Sequence, residues 1–168
     1  MKKLQIVFLA IVVSANFLSV RAQEIAMEGI GVKGIIVGNS TKDDVIKKFG
    51  KNYKMITYES YSKQLQYKEI GLSFFYCRSD NAQKIFSIEM RKPFDVTTGK
   101  GIVLGKSTVA DVIRQYGESE TEESISWLEY TGVDFRNVNL VTNEINFLNN
   151  EMVINEINIY APDFKSCN

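Results

Sequence analysis

Gly34-Ile-Ile-Val-Gly38-Asn-Ser40-Thr41-Lys-Asp-Asp44-Val45-Ile46-Lys-Lys-Phe49-Gly50 decides how this chain is read, because it occurs twice. The second copy is Gly101-Ile-Val-Leu-Gly105-Lys-Ser107-Thr108-Val-Ala-Asp111-Val112-Ile113-Arg-Gln-Tyr116-Gly117, offset by 67 residues. Nine of the 17 positions are identical, and Phe49/Tyr116 and Lys47/Arg114 are close substitutions. The likeness runs on. Leu65-Gln-Tyr67 and Gly71-Leu-Ser-Phe74 answer to Leu128-Glu-Tyr130 and Gly132-Val-Asp-Phe135. The stretch Lys84 to Pro93 answers to Val153 to Pro162. Eight of the 11 glycines and both prolines fall into matched pairs. Self-similarity at a fixed offset marks a supersecondary unit used more than once. Repeat 1 then covers 30–93 and repeat 2 covers 100–162, with a linker at 94–99 and a tail at 163–168.

Each repeat reads alike. Thr41-x-x-Asp44 and Thr108-x-x-Asp111 are capping-box patterns, with Ser40 and Ser107 as alternative caps. Val45, Ile46 and Phe49 share one helical face, as do Val112, Ile113 and Tyr116. Gly50 and Gly117 stop helices of about nine residues, too short to stand without packing. Strands follow at Met55–Tyr58, Leu65–Lys68, Leu72–Tyr76 and Lys84–Arg91. In repeat 2 they fall at Trp127–Thr131, Val133–Arg136, Ile145–Leu148 and Met152–Tyr160, punctuated by Gly and Asn turns. Residues 137–144 have no counterpart in repeat 1. The fold class is α+β: two tandem units, each a helix followed by an antiparallel meander, with the helices on one face of the sheet. Units of about 60 residues are marginal alone, so the two should pack together, side by side in one long sheet.

Alternation assigns the faces. Leu65, Tyr67, Leu72, Phe74, Phe86, Ile88 and Met90 should meet the helices. So should Leu128, Tyr130, Val133, Phe135, Ile157 and Ile159, with Asn155 as an odd polar member. The opposite, open face then carries Gln64, Gln66, Ser73, Phe75, Ser87, Glu89 and Arg91. Repeat 2 adds Trp127, Glu129, Asp134, Arg136, Glu156, Asn158 and Tyr160.

Composition excludes much chemistry. The chain has 168 residues, no His and 2 Cys. That removes Ser-His-Asp and Cys-His nucleophiles, His-ligated metal sites and four-thiolate zinc. No cofactor, metal site or catalytic residue is expected. Met1-Lys2-Lys3, an apolar stretch from Leu4 to Val13 and a small-residue end at Val20-Arg21-Ala22 read as a signal peptide over 1–22, cleaved after Ala22. The apolar run is too short for a spanning helix. No Cys precedes Cys77, which argues against a lipid anchor. Removing 1–22 takes away Lys2, Lys3 and Arg21 and no acid, leaving 17 basic against 20 acidic residues. Nothing in that balance attracts nucleic acid or anionic lipid. The protein should be periplasmic or secreted, with no transmembrane segment in the mature chain.

The doubled pattern Gly-x-x-x-Gly-x-Ser-Thr-x-x-Asp-Val-x-x-x-Phe/Tyr-Gly, followed by Leu-x-Tyr, Gly-x-x-Phe and an apolar strand, resembles the β-lactamase inhibitor protein family. It is similar also to the small outer-membrane assembly lipoproteins of the SmpA/OmlA (BamE) type. Tandem duplication makes the inhibitor family the nearer likeness. That resemblance implies an open concave sheet face that binds a partner protein. No family binding residue aligns with this chain, and the anchoring Cys of the lipoproteins is missing.

The candidate partner-binding residues are Phe75, Trp127, Tyr160, Arg91 and Arg136, since aromatics and Arg dominate protein-binding hot spots. Phe75 and Trp127 equally suit a face covered by the other repeat or by a loop. Cys77 and Cys167 are a candidate disulfide in an exported chain, or two free thiols. Glu118, Glu120, Glu122 and Glu123 form an acidic loop, most simply solvated. Glu89, Glu129 and Glu156 could serve as paired hydrolase acids, though surface carboxylates are the commoner case. The leading expectation is a non-catalytic module binding another envelope or secreted protein. An envelope assembly factor near the outer membrane is the alternative, and a carboxylate-based hydrolase the remote one.

Overall fold

Thr41 and Thr108 each open a helix. In the computed structural model, which describes residues 23–59, 61–119, 127–136 and 152–167, α1 spans Lys42–Phe49 and α2 spans Val109–Tyr116. The Thr41 hydroxyl accepts from Asp44 N at 3.3 Å while Thr41 N donates to the Asp44 carboxylate at 2.8 Å. Thr108 and Asp111 repeat this at 3.2 and 2.8 Å. Two of the first turn's orphan donors are thereby satisfied in each helix. These bonds hold the Asp44 and Asp111 carboxyls below their ordinary pKa. Ser40 and Ser107 do different work, each accepting the backbone N–H four residues earlier, from Ile36 and Val103. Gly50 and Gly117 end the helices with φ of 82° and 89° but ψ of −169° in both. The chain therefore leaves in an extended, glycine-only conformation rather than the left-handed turn common where a glycine ends a helix.

The fold is mixed α/β, mostly strand, with two helices and two sheets among the described residues. The strands are β1 (Glu24–Met27), β2 (Gly31–Val32), β3 (Ile35–Ile36), β4 (Lys54–Thr57), β5 (Ser62–Tyr67) and β6 (Leu72–Cys77). They continue as β7 (Ile85–Arg91), β8 (Val96–Thr98), β9 (Trp127–Tyr130), β10 (Val133–Arg136) and β11 (Glu156–Tyr160). One sheet has seven strands in the order β4-β5-β6-β7-β11-β10-β9, every pair antiparallel. Its middle seam joins β7 to β11, with Glu156 opposite Arg91 and Tyr160 opposite Ser87. Val45, Leu65, Phe74, Ile85, Ile88, Met90, Val112, Phe135, Ile157 and Ile159 share one core. Phe49 meets Phe74 at 5.3 Å between ring centroids, and Tyr116 meets Phe135 at 5.0 Å.

The second sheet, β3-β2-β1-β8, is absent from the sequence reading. Segment 94–99, read as a linker, contains β8, which pairs in parallel with β1. Phe94 and Val96 are buried, so the segment belongs to the core as well as joining two halves.

Alternation also fails at one place. Phe75 lies opposite Ser87, but Tyr76 lies opposite Ile85, so Phe86 is an extra residue in β7. Such a bulge shifts the side-chain alternation by one. Ile85 turns into the core, and Phe86, assigned from sequence to the helix side, stacks instead on Phe164 of the tail at 3.9 Å. Ile154 likewise enters the core, and Asn155, expected on the helix-facing side, is only half-buried beside it. The last strand begins at Glu156, not Met152. Ile145–Leu148, Glu120, Glu122, Glu123, residues 137–144 and the signal segment 1–22 lie outside the described residues.

Candidate partner-binding face

Strand register places the side chains of one face of the seven-stranded sheet in transverse rows. Ile56, Gln64, Phe75, Ser87 and Tyr160 form one row. Lys54, Gln66, Ser73, Glu89, Asn158, Asp134 and Glu129 form the next, crossing all seven strands. Arg91, Glu156, Arg136 and Trp127 form the last. All five candidate binding residues thus share a face, split into Phe75 with Tyr160 and Arg91 with Arg136 and Trp127. The two groups are separated by the central polar row.

The last two rows make a charged cluster whose members the sequence pattern names singly, without their pairing. Glu156 is 0% exposed and Asp134 3%. Arg91 pairs with Glu89, Nε to Oε1 at 3.1 Å, and its Nη2 contacts Glu156. Arg136 pairs with Asp134 at 2.6 Å and with Glu156 at 3.4 Å, so both guanidiniums flank one buried carboxylate. Both Glu156 oxygens lie at ion-pair range from the guanidiniums without well-directed hydrogen bonds, and Asp134 Oδ1 is also unsatisfied. Trp127 Nε1 donates to Asp134 Oδ2 at 3.2 Å, and the Arg136 guanidinium lies 4.3 Å from the centre of the indole. Burial, reinforced by the Glu156 charge, pushes the Glu89 carboxyl up to about 7 against the pull of Arg91 and Arg136. Burial raises Asp134 in the same way, opposed by Arg136. The pattern that would have revealed the cluster is opposite charge two residues apart on adjacent strands: Glu89/Arg91, Asp134/Arg136 and Glu156.

The face is not the open polar surface expected. Gln64, Ser73 and Ser87 are buried along with Glu156 and Asp134. Cross-strand neighbours and large flanking side chains cover the small polar ones. Arg91 stays exposed, while Phe75, Trp127, Arg136 and Tyr160 are half-buried. The Tyr160 hydroxyl donates to the Tyr130 carbonyl at 2.7 Å.

At the other end, the tail crosses the face. Cys77 is disulfide-bonded to Cys167 over 90 residues of sequence, with Cα atoms 5.3 Å apart. Of the two states left open by the sequence, the structure has the bridged one. It holds Phe164 against Phe86, whose ring neighbours Phe75, which neighbours Tyr58 in turn.

Two clefts lie elsewhere. One, of about 520 Å³, is lined by Gly34, Asn39, Ser40, Asp44, Lys47 and Lys48. The other, of about 340 Å³, is lined by Glu28, Lys100, Tyr116, Tyr130 and Thr131. Asp44 and Tyr116 are already engaged there, with Thr41 and with Glu28 and Thr98. Among the described residues, no group of three or more His, Cys, Asp or Glu is placed to hold a metal ion. No helix among them is long and apolar enough to cross a membrane. No protein-family model, curated protein or solved structure matches this chain.

Proposed function

We propose that this protein is an exported, non-catalytic module that binds another envelope or secreted protein. The binding surface is the sheet face carrying Trp127, Arg136, Arg91, Phe75 and Tyr160. The observation that carries this is the Trp127–Arg136 stack, held from beneath by Asp134 and Glu156. Hot spots are typically Trp and Arg, and anchors held rigid before binding lose little entropy on it. Asp134 and Glu156 are buried against the Arg136 guanidinium, which withholds them from acid–base work on a substrate. The disulfide is in keeping with an oxidising compartment and so with export of the chain after Ala22.

The scaffold for that face is a tandem duplication with both helices on the opposite side. Matched bonds support it. Tyr67 and Tyr130 each donate a hydroxyl hydrogen bond to the helix-ending glycine carbonyl, Gly50 O and Gly117 O, both at 2.8 Å. Gly38 N donates to Ile85 O at 2.7 Å, and Gly105 N donates to Ile154 O at 2.8 Å. Phe74, Ile88, Ile159 and Val133 lie opposite one another in register, with Phe135 two residues beyond Val133, and this supports both helices packing on one side of one sheet. This arrangement keeps kinship with the β-lactamase inhibitor proteins as the proposed ancestry.

The test is affinity capture from an envelope or secreted extract with the protein lacking residues 1–22. Any captured partner is then titrated against Trp127→Ala, Phe75→Ala and a control on α1, Lys48→Ala, with thermal melting of each. A partner lost with either face variant and kept by the control, at little change in melting, is the expected result. No partner captured, or a partner indifferent to both face variants, overturns the reading.

A further inference from the structure

The seven-stranded sheet has two ends, and the structure treats them differently. At the β9 end, Ser119 closes the edge. Its Oγ accepts from Glu129 N at 3.0 Å and donates to Glu129 O at 3.3 Å. At the β4 end, no strand among the described residues lies beyond Lys54–Thr57. Tyr58 N donates inward to Ser62 O at 3.0 Å. In an antiparallel ladder the inward-bonding residues alternate. Ile56 and Lys54 therefore also bond towards β5, while Met55 and Thr57 aim their N–H and C=O away from the sheet. The strand has no proline and no bulge, and its one charge is Lys54 at the end. Those are the usual devices that blunt an edge. Around it stand exposed apolar side chains: Met55 at 40%, Tyr58 at 40% and Tyr61 at 59%.

We propose that a second copy of this chain adds its own β4 antiparallel to this edge, joining two seven-stranded sheets across a two-fold axis at Ile56. The outward backbone groups define the occupant as an extended strand, and β4 is self-complementary. Centred on Ile56, Met55 of one copy meets Thr57 of the other, twice. Both residues point outward, so each pair exchanges two hydrogen bonds. On the face away from the helices, Ile56 meets Ile56 and each Lys54 meets the Tyr58 of the other copy. No like charges are opposed, and a Lys over a Tyr ring is a contact this chain already makes at Lys100 and Tyr116. The Tyr58 ring is pre-positioned, since its hydroxyl donates to Gln64 Oε1 at 2.6 Å. A strand of four residues with three flanking side chains is smaller than a standard stable interface, so the dimer is a concentration-dependent one. This edge is separate from the Trp127–Arg136 end of the face, although Tyr58 neighbours Phe75, and self-association and capture of another protein are read by different measurements.

Sedimentation velocity of the protein lacking residues 1–22, over a wide concentration range, tests this. The wild type should shift from one to two chains as concentration rises. Ile56→Lys and Ile56→Glu should each stay monomeric, because like charges then meet at the axis, and an equimolar mixture of the two should regain the dimer. Circular dichroism of each variant confirms that the half-buried site tolerates the change. Thr57→Pro, which deletes one outward N–H at a position where an edge strand accepts proline, should also be monomeric. A wild type that remains monomeric at the highest concentration overturns the proposal. So does a mixture that fails to restore pairing. So does a dimer that persists in every variant, which would point instead to the exposed Ile25, Met27 and Ile36 of the smaller sheet with Ile30 in its first turn.

Discussion

Glu89 should make this protein less stable as pH rises towards neutrality, opposite to the usual effect of an ion pair, even though Arg91 pairs with it. Its folded-state pKa is raised from 4.5 to about 7. The groups facing it are Glu156 and Asp134, which push the value up, and Arg91 and Arg136, which pull it down; Tyr58 also senses its charge. Between about 4.5 and about 7 the native state binds more of the proton than the unfolded chain does. Stability therefore falls with rising pH across that window and is flat in this term on either side. A shift from 4.5 to about 7, at 1.36 kcal/mol per unit, is about 3 kcal/mol. Glu89→Gln keeps the shape and removes the titration. The variant should match the wild type near pH 4, where Glu89 is neutral in both states, and be more stable by about 3 kcal/mol at pH 8. Urea unfolding at a series of pH values, followed by the single Trp127, reads this directly. A difference between the two proteins that does not change with pH would refute the reasoning. So would a variant less stable than wild type at pH 8, since the Arg91 pair would then outweigh the cost of burying the charge.

Other outcomes follow from the same geometry. Cys77→Ser with Cys167→Ser frees a loop of 90 residues and should cost about 2–4 kcal/mol in urea unfolding, and intact mass under non-reducing conditions should show the bridge as a loss of two hydrogens. Thr108→Ala removes the acceptor for Asp111 N and should cost about 1 kcal/mol by the same assay. Gly132→Ala should destabilise far more than Gly117→Ala. Both have positive φ, 81° and 89°, but a Cβ at 132 would lie 2.7 Å from the Gly29 backbone, whereas the one at 117 meets nothing within 4 Å. Comparative thermal melts would check that ordering, and equal losses would show that backbone strain alone governs both sites.

Much of the larger sheet was legible because its signals are local. A Thr-x-x-Asp cap satisfies its own helix within four residues, and both caps form as read. Period-2 alternation over Leu65–Tyr67, Leu72–Phe74 and Val133–Phe135 selects the core face without help from the rest of the chain. Val133–Arg136 matches its expected strand end to end. The smaller sheet gave no such signal. Its strands have two to four residues, and β1 finds β8 about 70 residues away. Stretches that short carry no readable period.

The candidate site divides along the same line. The five binding candidates could be put on one face by alternation alone, and they do share it. Their partners could not be read, because which charge meets which depends on the register between β7 and β11, residues roughly 70 positions apart in the chain. That register sets Arg91 opposite Glu156, buries Glu156 between two guanidiniums and raises Glu89. The bulge at Phe86 likewise follows from how β6 and β7 close on each other, and it turns a ring expected in the core toward Phe164. The sequence by itself determined the doubled pattern, the helix caps, the strand faces away from Phe86 and Asn155, and the lack of histidine chemistry, all properties of residue type and short-range spacing. Only the tertiary structure decided the second sheet, the disulfide, the buried ion cluster and the place of β4 at the end of the sheet among the described residues, because each depends on which distant segments come to lie side by side.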